Sequence, residues 1–94
     1  MTLPPASLAA RPVITRLFRL QWEEAQQNYV LLYPEGMVKL NTSGGEILKR
    51  CNGNLTVAEI IADLERTFET NGLLDDVTAF LDIASSQGWI EENP

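Results

Sequence analysis

The stretch that most constrains the fold is residues 31–48, LLYPEGMVKLNTSGGEIL, in which two strand patterns lead directly into a helix pattern. The spacing of the apolar residues changes from two to the helical repeat near Asn41. The sequence Tyr33-Pro34-Glu35-Gly36 is typical of a tight turn, and we expect a three-residue hairpin with a bulge in which Gly36 has a positive φ. The stretch therefore predicts two antiparallel strands followed by a helix.

One further strand is predicted before this stretch. From Val13 the sequence VITRLFRLQW alternates loosely, and we interpret it as a single strand. The polar segment 21–28 then turns, or forms a short helical loop, before the strand that begins at Tyr29. Together the three strands predict an antiparallel meander.

Three helix patterns follow, and each has its own start and stop signals. Ser43 with Glu46 and Thr56 with Glu59 fit the capping box, and Asp75 is the predicted N-cap of the third helix. The first helix is expected over about residues 43–51, and glycines at 53, 72 and 88 are the predicted stops. The sequence thus predicts an α+β fold: a three-stranded antiparallel sheet followed by three helices, similar to a winged helix-turn-helix.

The last two helices have apolar faces. The second carries a stripe formed by Val57, Ile60, Ile61, Leu64 and Phe68. On the third, Val77, Phe80, Leu81 and Ala84 lie within one arc of about 100°. Ile83 lies outside that arc, on a flank with Asp76 and Gln87. Ile83 either packs against the terminal segment or belongs to an exposed strip that is partly apolar and partly acidic.

The chain length of 94 residues allows one domain. Proline-containing residues 1–11 are predicted to be a flexible lead-in, and residues 12–92 the folded domain. An apolar run of about 20 residues and the h-region of a signal peptide are both missing from the sequence. We therefore expect a cytoplasmic protein that does not contact a membrane.

The residue types needed for most catalytic and metal sites are missing. The sequence has no histidine and one cysteine, Cys51, which we interpret as a small buried residue rather than a reactive thiol. The acidic pairs Asp75-Asp76 and Glu91-Glu92 are explained by their positions near helix ends. We therefore predict a protein that is not an enzyme and that has no cofactor and no metal site.

Charge is divided unevenly along the chain. Residues 1–50 carry six Lys and Arg against four acids, whereas residues 51–94 carry Arg66 against nine acids. The third helix contains Asp75, Asp76 and Asp82 and no cation, while DNA contacts require cationic side chains. DNA binding by a winged helix is therefore the less favoured alternative.

The strand at residues 37–41 is predicted to lie at an edge of the sheet. An edge strand exposes unpaired backbone N–H and C=O groups, which can accept an extended peptide as an additional strand. The strand is also short and carries Lys39, which offers some protection against pairing. The residues alone leave open whether this edge binds a peptide or simply keeps the protein monomeric.

Several short motifs together resemble one known family. They are Leu-Leu-x-Pro-Glu at 31–35, Leu-Asn at 40–41, Glu-Ile-Leu at 46–48 and Gly-Trp at 88–89. In this arrangement they resemble the pyrroloquinoline quinone biosynthesis protein D family, PqqD, over about residues 12–91. That family is the stand-alone form of the RiPP recognition element, which is a winged-helix-like domain.

The resemblance implies a peptide chaperone without catalytic activity. Such a chaperone would bind the precursor peptide PqqA and present it to the radical SAM enzyme PqqE. The peptide would add as a strand to the third strand and lie against the third helix. Carried onto this sequence, the implied peptide-binding residues are Met37, Val38, Lys39, Leu40 and Asn41 on the strand and Asp76, Val77, Phe80, Ile83 and Ala84 on the helix. A homodimer through the same exposed strand would compete with the peptide.

Overall fold

The structure, a computed structural model, describes residues 8–93. Its elements in chain order are β1 (Pro12–Ile14), β2 (Arg19–Glu23), β3 (Asn28–Tyr33), β4 (Gly36–Lys39), α1 (Thr42–Lys49), α2 (Val57–Thr67), α3 (Leu74–Ser86) and β5 (Ile90–Glu92). Of the predicted lead-in, residues 1–7 lie outside the described residues. Residues 8–11 contact the folded domain, since the carbonyl of Ala10 accepts from Val57 N at 2.9 Å.

The predicted meander is confirmed as the sheet β2-β3-β4, in which both neighbouring pairs are antiparallel. The hairpin between β3 and β4 differs from the prediction. Tyr33 pairs with Gly36, so the loop has two residues, and Gly36 does not have a positive φ. A Cβ added to Gly36 would lie 3.2 Å from the Tyr33 hydroxyl oxygen. Gly36 therefore leaves room for the tyrosine ring rather than supplying a left-handed turn.

The single strand predicted from Val13 is wrong, because the structure divides this segment into β1 and β2. β1 pairs with β5 in a separate two-stranded antiparallel sheet, with Val13 opposite Glu91. Between β1 and β2, the Thr15 hydroxyl donates to the carbonyl of Gly88 at 2.7 Å, and Phe18 N donates to Thr15 O at 3.0 Å. The chain therefore turns at Thr15 to meet the end of α3.

Helix α1 is capped two residues earlier than predicted. Its N-cap is Asn41, whose side-chain oxygen accepts from Gly44 N at 2.7 Å and from the Ser43 hydroxyl at 3.2 Å. The Ser43 capping box is wrong because Asn41 occupies the capping position and the Glu46 carboxylate contacts Arg50 instead. The capping box at Thr56 and Glu59 is confirmed. Its hydrogen bonds hold the pKa of Glu59 below the ordinary value, mainly through the backbone N–H of Thr56.

Helix α3 begins without a capping side chain of its own. Asp75 is not the N-cap; the helix starts at Leu74, with Leu73 at the capping position. Glu65 of α2 accepts from the backbone N–H of Leu73 at 3.0 Å, so a neighbouring helix supplies the missing acceptor. At the other end, Gly88 has a φ of 79°, as predicted for the stop of this helix.

The core lies between the sheet β2-β3-β4 and the three helices. Its buried members come from β3, from all three helices and from β5: Leu31, Ile47, Leu48, Cys51, Val57, Ile60, Ile61, Leu64, Val77, Leu81, Ala84 and Ile90. Cys51 is buried among them, and its burial raises the pKa of the thiol to about 12. The cysteine therefore packs as a small apolar residue, as predicted.

An arginine links α1 to α2 at the edge of this core. Arg50 contacts the carboxylates of Glu46 and Asp63 and donates to the carbonyl of Glu46 at 2.9 Å. Asp63 also contacts Arg66 at 2.6 Å. The hydrogen bond from Arg50 holds the pKa of the Asp63 carboxyl below its ordinary value. These contacts therefore hold α1 against α2.

Candidate functional site

The outer edge of β4 is a free backbone edge of the sheet. Within residues 8–93, β4 pairs with β3 on one side and with no strand on the other. Tyr33 and Gly36 flank a two-residue loop, where the paired residues exchange hydrogen bonds. By alternation, Gly36 and Val38 direct their backbone groups to β3, and Met37 and Lys39 direct theirs to the free edge. The edge therefore offers the N–H and C=O groups of two residues to another strand.

The side chains of β4 are divided between the two faces of the sheet. Val38, with Leu40 just beyond the strand, packs against the core. Met37 is 45% exposed on the opposite face, where Lys39 is exposed as well. A strand added at this edge would therefore lie beside the apolar side chain of Val38 on one face and beside Met37 and Lys39 on the other.

A cavity of about 630 Å³ opens at the point where α1 begins, α2 ends and α3 begins. Its walls are apolar, and its rim carries hydroxyl, amide and carboxylate groups. The apolar residues are Ile47, Leu64, Phe68, Leu73, Val77 and Phe80, and the polar residues are Asn41, Thr42, Ser43, Glu46, Thr70 and Asp76. Cavities of this size and composition accommodate small apolar groups.

Asn41 connects the strand edge to the cavity. It follows Lys39 by two residues, caps α1, and is itself part of the cavity lining. An extended segment that continues along β4 in the direction of its C-terminal end therefore arrives at the mouth of the cavity. The edge and the cavity together form one continuous candidate site.

The position of Phe80 on the cavity wall depends on a glycine. A Cβ added to Gly44 would lie 2.9 Å from Phe80 Cε1, so the absence of a side chain there allows the ring to lie against α1. The Phe80 ring also lies 6.4 Å from the Trp89 ring, measured between centroids. Gly44 therefore provides space for the cavity wall.

The carboxylates on the cavity rim have different surroundings. Glu46 is paired with Arg50, with 3.0 Å between Oε1 and Nη1. Burial lowers the pKa of Arg50, but its hydrogen bonds to Asp63 and Glu46 outweigh that effect and raise the pKa overall. In the described part of the chain the Asp76 carboxylate has no partner. Asp76 is therefore the rim carboxylate available to a cation.

The ten residues assigned by resemblance occupy four different environments. Asn41, Asp76, Val77 and Phe80 line the cavity. Met37, Val38 and Lys39 lie in the strand that leads to it, and Leu40 directly follows that strand. Ile83 is 54% exposed on the outer side of α3, and Ala84 is buried in the core. Ile83 and Ala84 are not among the residues that line the cavity.

Sequence reasoning missed Phe68 and Leu73 as cavity residues. Phe68 was assigned to the buried stripe of α2, but it is 49% exposed, because the helix ends at Thr67 and Phe68 is the C-cap. The sequence offered one signal for this position: Phe68 continues the apolar stripe of α2 but lies at the end of the helix. Leu73 gave no comparable signal, because its position depends on the hydrogen bond to Glu65.

Residues 8–93 contain neither a metal site nor a membrane-spanning helix. No group of three or more His, Cys, Asp or Glu side chains is arranged to hold a metal ion. None of the helices combines the length and apolar character needed to cross a bilayer.

Comparison with known proteins gives consistent matches. The family model described as Coenzyme PQQ synthesis protein D (PqqD) matches residues 28–90. A PqqA binding protein of Pseudomonas aeruginosa strain PAO1 is 53% identical over 92 residues, which cover 97% of this chain and 98% of that protein. One from Methylococcus capsulatus is 44% identical over 92 residues, covering 98% and 96%.

A solved structure matches the fold. It is the solution NMR structure of the PqqD truncation of Methylobacterium extorquens PqqCD, described as a functional and stand-alone RiPP recognition element. The TM-score is 0.72 with 27% identity, and the match covers 85% of this chain and 87% of that one.

Proposed function

The chain belongs to the PqqD family of coenzyme PQQ synthesis proteins, and from this premise we propose that it is a peptide chaperone. It binds the precursor peptide PqqA by strand addition and presents it to the radical SAM enzyme PqqE. The chaperone itself performs no covalent chemistry. The observation that carries this proposal is the unpaired edge of β4, which leads directly into an apolar cavity.

Strand addition is supported by the backbone geometry of β4. Met37 and Lys39 direct their N–H and C=O groups outward, and an added strand can satisfy all four groups. Backbone hydrogen bonds of this kind supply affinity with little dependence on sequence. Selectivity then requires pockets for particular side chains, and we assign that role to the cavity and to Met37.

The cavity is suited to a large aliphatic or aromatic side chain of the peptide. Its walls include Phe68 and Phe80, and Asp76 lies on its rim. A cationic residue next to the apolar one in the peptide would complement Asp76, in the half of the chain that carries most of the acids. We propose that Ile83, exposed on α3 outside the cavity lining, contacts the peptide beyond this point. Ala84 supports the wall from within the core.

The proposed functional unit is the predicted domain, residues 12–92, together with residues 8–11, which pack against it. We place its action in the cytoplasm, where ribosomal synthesis takes place, because the matched structure is described as a RiPP recognition element, and RiPP products are ribosomally synthesized. The DNA-binding alternative is not supported, since the matched proteins are described as PqqA binding proteins and as a RiPP recognition element, and α3 carries acids but no cation.

Proline substitution at Lys39 tests strand addition. Lys39→Pro removes one outward N–H but no hydrogen bond to β3, so the fold should persist while affinity for PqqA falls at least about tenfold. Lys39→Ala is the matched control, because it removes the side chain and keeps the N–H. Affinity is measured by calorimetry and the fold by the amide NMR spectrum. Equal affinity of Lys39→Pro and Lys39→Ala for PqqA would exclude this edge.

A second substitution tests the cavity independently of the strand. Phe68→Ala shortens an exposed wall residue at the end of α2, and the expected result is a severalfold loss of PqqA affinity with little change in stability. Leu17→Ala provides the control, because Leu17 is 68% exposed between β1 and β2 and is not among the residues that line the cavity. If PqqA bound Phe68→Ala as tightly as the unmodified protein, the cavity would not be part of the site.

A further inference from the structure

The sheet has a second free edge, on β2. Within residues 8–93, β2 pairs with β3 and with no strand on its other side. The backbone N–H and C=O groups of β3 alternate in direction. Those of Tyr33 point toward β4, and those of Asn28, Val30 and Leu32 point toward β2. Their partners on β2 are Glu23, Gln21 and Arg19. The backbone N–H and C=O groups of Leu20 and Trp22 therefore point to the outer edge of the sheet.

The sequence of β2, Arg-Leu-Gln-Trp-Glu, is complementary to itself in antiparallel orientation. If a second copy pairs with β2 about a twofold axis at Gln21, Leu20 lies opposite Trp22 of the second copy. These are the two residues with outward backbone groups, so the register forms backbone hydrogen bonds. The same register places Arg19 opposite Glu23 of the second copy, and this pair occurs twice.

The side chains of β2 are available for such pairing. In the described part of the chain the Arg19 guanidinium forms neither an ion pair nor a hydrogen bond. The Glu23 carboxylate has one long contact, 3.4 Å from Ala25 N. Opposite charges on directly facing residues stabilise an antiparallel pair, and like charges destabilise it.

The apolar face of β2 favours the same partner. Trp22 is 45% exposed although its ring packs edge-on against Tyr29, at 5.1 Å between centroids. In the twofold register, Leu20 of the second copy would lie beside Trp22 and cover part of its exposed ring. The same pairing therefore forms backbone hydrogen bonds, places opposite charges together on one face and covers apolar surface on the other.

The edge of β4 does not have this property. A twofold pairing centred on Val38 or on Lys39 places Lys39 opposite Met37 or Lys39 of a second copy, respectively. The first pairing forms no ion pair, and the second brings two like charges together. A pairing centred on Met37 would place Lys39 opposite Glu35, which belongs to the loop and not to β4. The two edges of one sheet are therefore suited to different partners.

We propose that two copies of this chain associate through β2 to form a six-stranded sheet in the order β4-β3-β2-β2-β3-β4. Both β4 edges remain at the outside of that sheet. This dimer differs from one formed through β4, because it leaves the candidate peptide site open on each copy.

Charge reversal tests the proposed register. Arg19→Glu and Glu23→Arg each create two facing like-charge pairs, and each should weaken dimerisation about tenfold or more relative to the unmodified chain. The double variant, and an equimolar mixture of the two single variants, restore the opposite pairs and should restore the dimer. Sedimentation velocity from 20 μM to 1 mM protein in about 0.15 M salt measures the effect.

Two controls fix the interpretation. Lys49→Glu changes the net charge by the same amount as Arg19→Glu but lies on α1, and Lys39→Pro alters the other edge; both should dimerise normally. A chain that is monomeric at 1 mM would overturn the proposal. So would single variants that dimerise as well as the unmodified chain, a double variant that stays monomeric, or loss of the dimer in Lys39→Pro.

Discussion

Single residues with left-handed backbone determine how two segments of the chain end. Gln27 and Glu69 both have a φ of 52°, a conformation that costs a residue with a Cβ about 1 kcal/mol or more. Glu69 immediately follows the C-cap of α2, and Thr70 N donates to Glu65 O at 3.0 Å to close the helix end. This position is the one that glycine usually occupies.

Glu69→Gly should therefore stabilise the protein. The substitution relieves the left-handed strain and increases the entropy of the unfolded chain, which leaves a net gain of about 0.5–1 kcal/mol. Urea unfolding monitored by circular dichroism measures the change. Gly72→Ala is the reverse control: Gly72 has a φ of 75°, a Cβ there would have no atom within 4 Å, and a loss of about 1 kcal/mol is expected. If Glu69→Gly were neutral or destabilising, strain at this residue would not matter.

Gly45 is the other residue whose missing side chain is structural. A Cβ at this position would lie 3.0 Å from Cβ and Cδ2 of Tyr29, which are fixed close to the β3 backbone. Gly45→Ala gains about 1 kcal/mol in helix propensity, but crowding in a packed region costs about 1–3 kcal/mol. We expect a net loss of unfolding free energy.

Ala62→Gly calibrates this prediction, because Ala62 is an exposed residue inside α2. It should lose about 1 kcal/mol from helix propensity alone. Both variants are measured by thermal or urea unfolding. A Gly45→Ala variant that is more stable than the unmodified protein would show that β3 can move away from α1.

At the scale of elements, the contact between α1 and α2 depends on charge. Asp63 receives hydrogen bonds from Arg50 and Arg66, and these keep its folded-state pKa below the unfolded value. A lowered carboxyl pKa contributes stability above the unfolded pKa of about 3.9, and that contribution is lost as the pH falls through the lowered folded pKa. The helix pair should therefore loosen in acid.

Asp63→Asn tests this dependence. The unmodified protein should be the more stable of the two at pH 5–7, and the difference should shrink as the pH falls below about 4. Urea midpoints at each pH provide the measurement, and Glu35→Gln corrects for the loss of one exposed negative charge. A difference that stays constant down to pH 2.5 would show that the Asp63 ion pairs contribute nothing through ionisation.

Elements were predictable from sequence where their signals were local. The meander, the order of the helices and the Thr56 capping box depend on residues a few positions apart, and all three are confirmed. The break between β1 and β2 was missed because it depends on Thr15 bonding to Gly88, 73 positions away. The start of α3 was misplaced for the same reason, since its acceptor, Glu65, belongs to α2.

The candidate site was only partly predictable for a related reason. The edge of β4 follows from strand order, which the sequence indicated. The cavity forms where three helix ends meet, so its members are separated along the chain and share no periodic pattern. Glycines 44 and 45 illustrate the limit: the sequence placed them in the first turn of the predicted helix, whereas their role is defined by Phe80 and Tyr29, which approach from two other elements.

At the scale of the whole molecule, the ion pairs and the free edges are in different places. The ion pairs in residues 8–93 link Arg50 and Arg66 to Glu46 and Asp63 on α1 and α2. Lys39 and Arg19 on the two free strands take part in none of them. The helices are therefore fixed internally, and the strand cations remain available for contacts with other chains.

The two ends of the described chain are joined by the small sheet β1-β5. Asn93 N donates to Arg11 O at 2.8 Å, and the Asn93 side chain donates to Gly53 O at 2.9 Å. A circular permutant that links these ends and opens in the exposed loop after Glu23 should fold with the native melting profile. A permutant opened between Leu31 and Leu32, in the central strand, should not. Thermal melts of both permutants measure the effect, and identical melting profiles would contradict the prediction.

The same closure has a consequence for gene architecture. Because both ends leave the fold at one corner, another domain can be fused before or after this one and begin from nearly the same point in space. The β4 edge and the cavity lie elsewhere on the molecule, so neither order of fusion needs to cover them. Gene order can therefore change during evolution without moving the proposed peptide site relative to the attached domain.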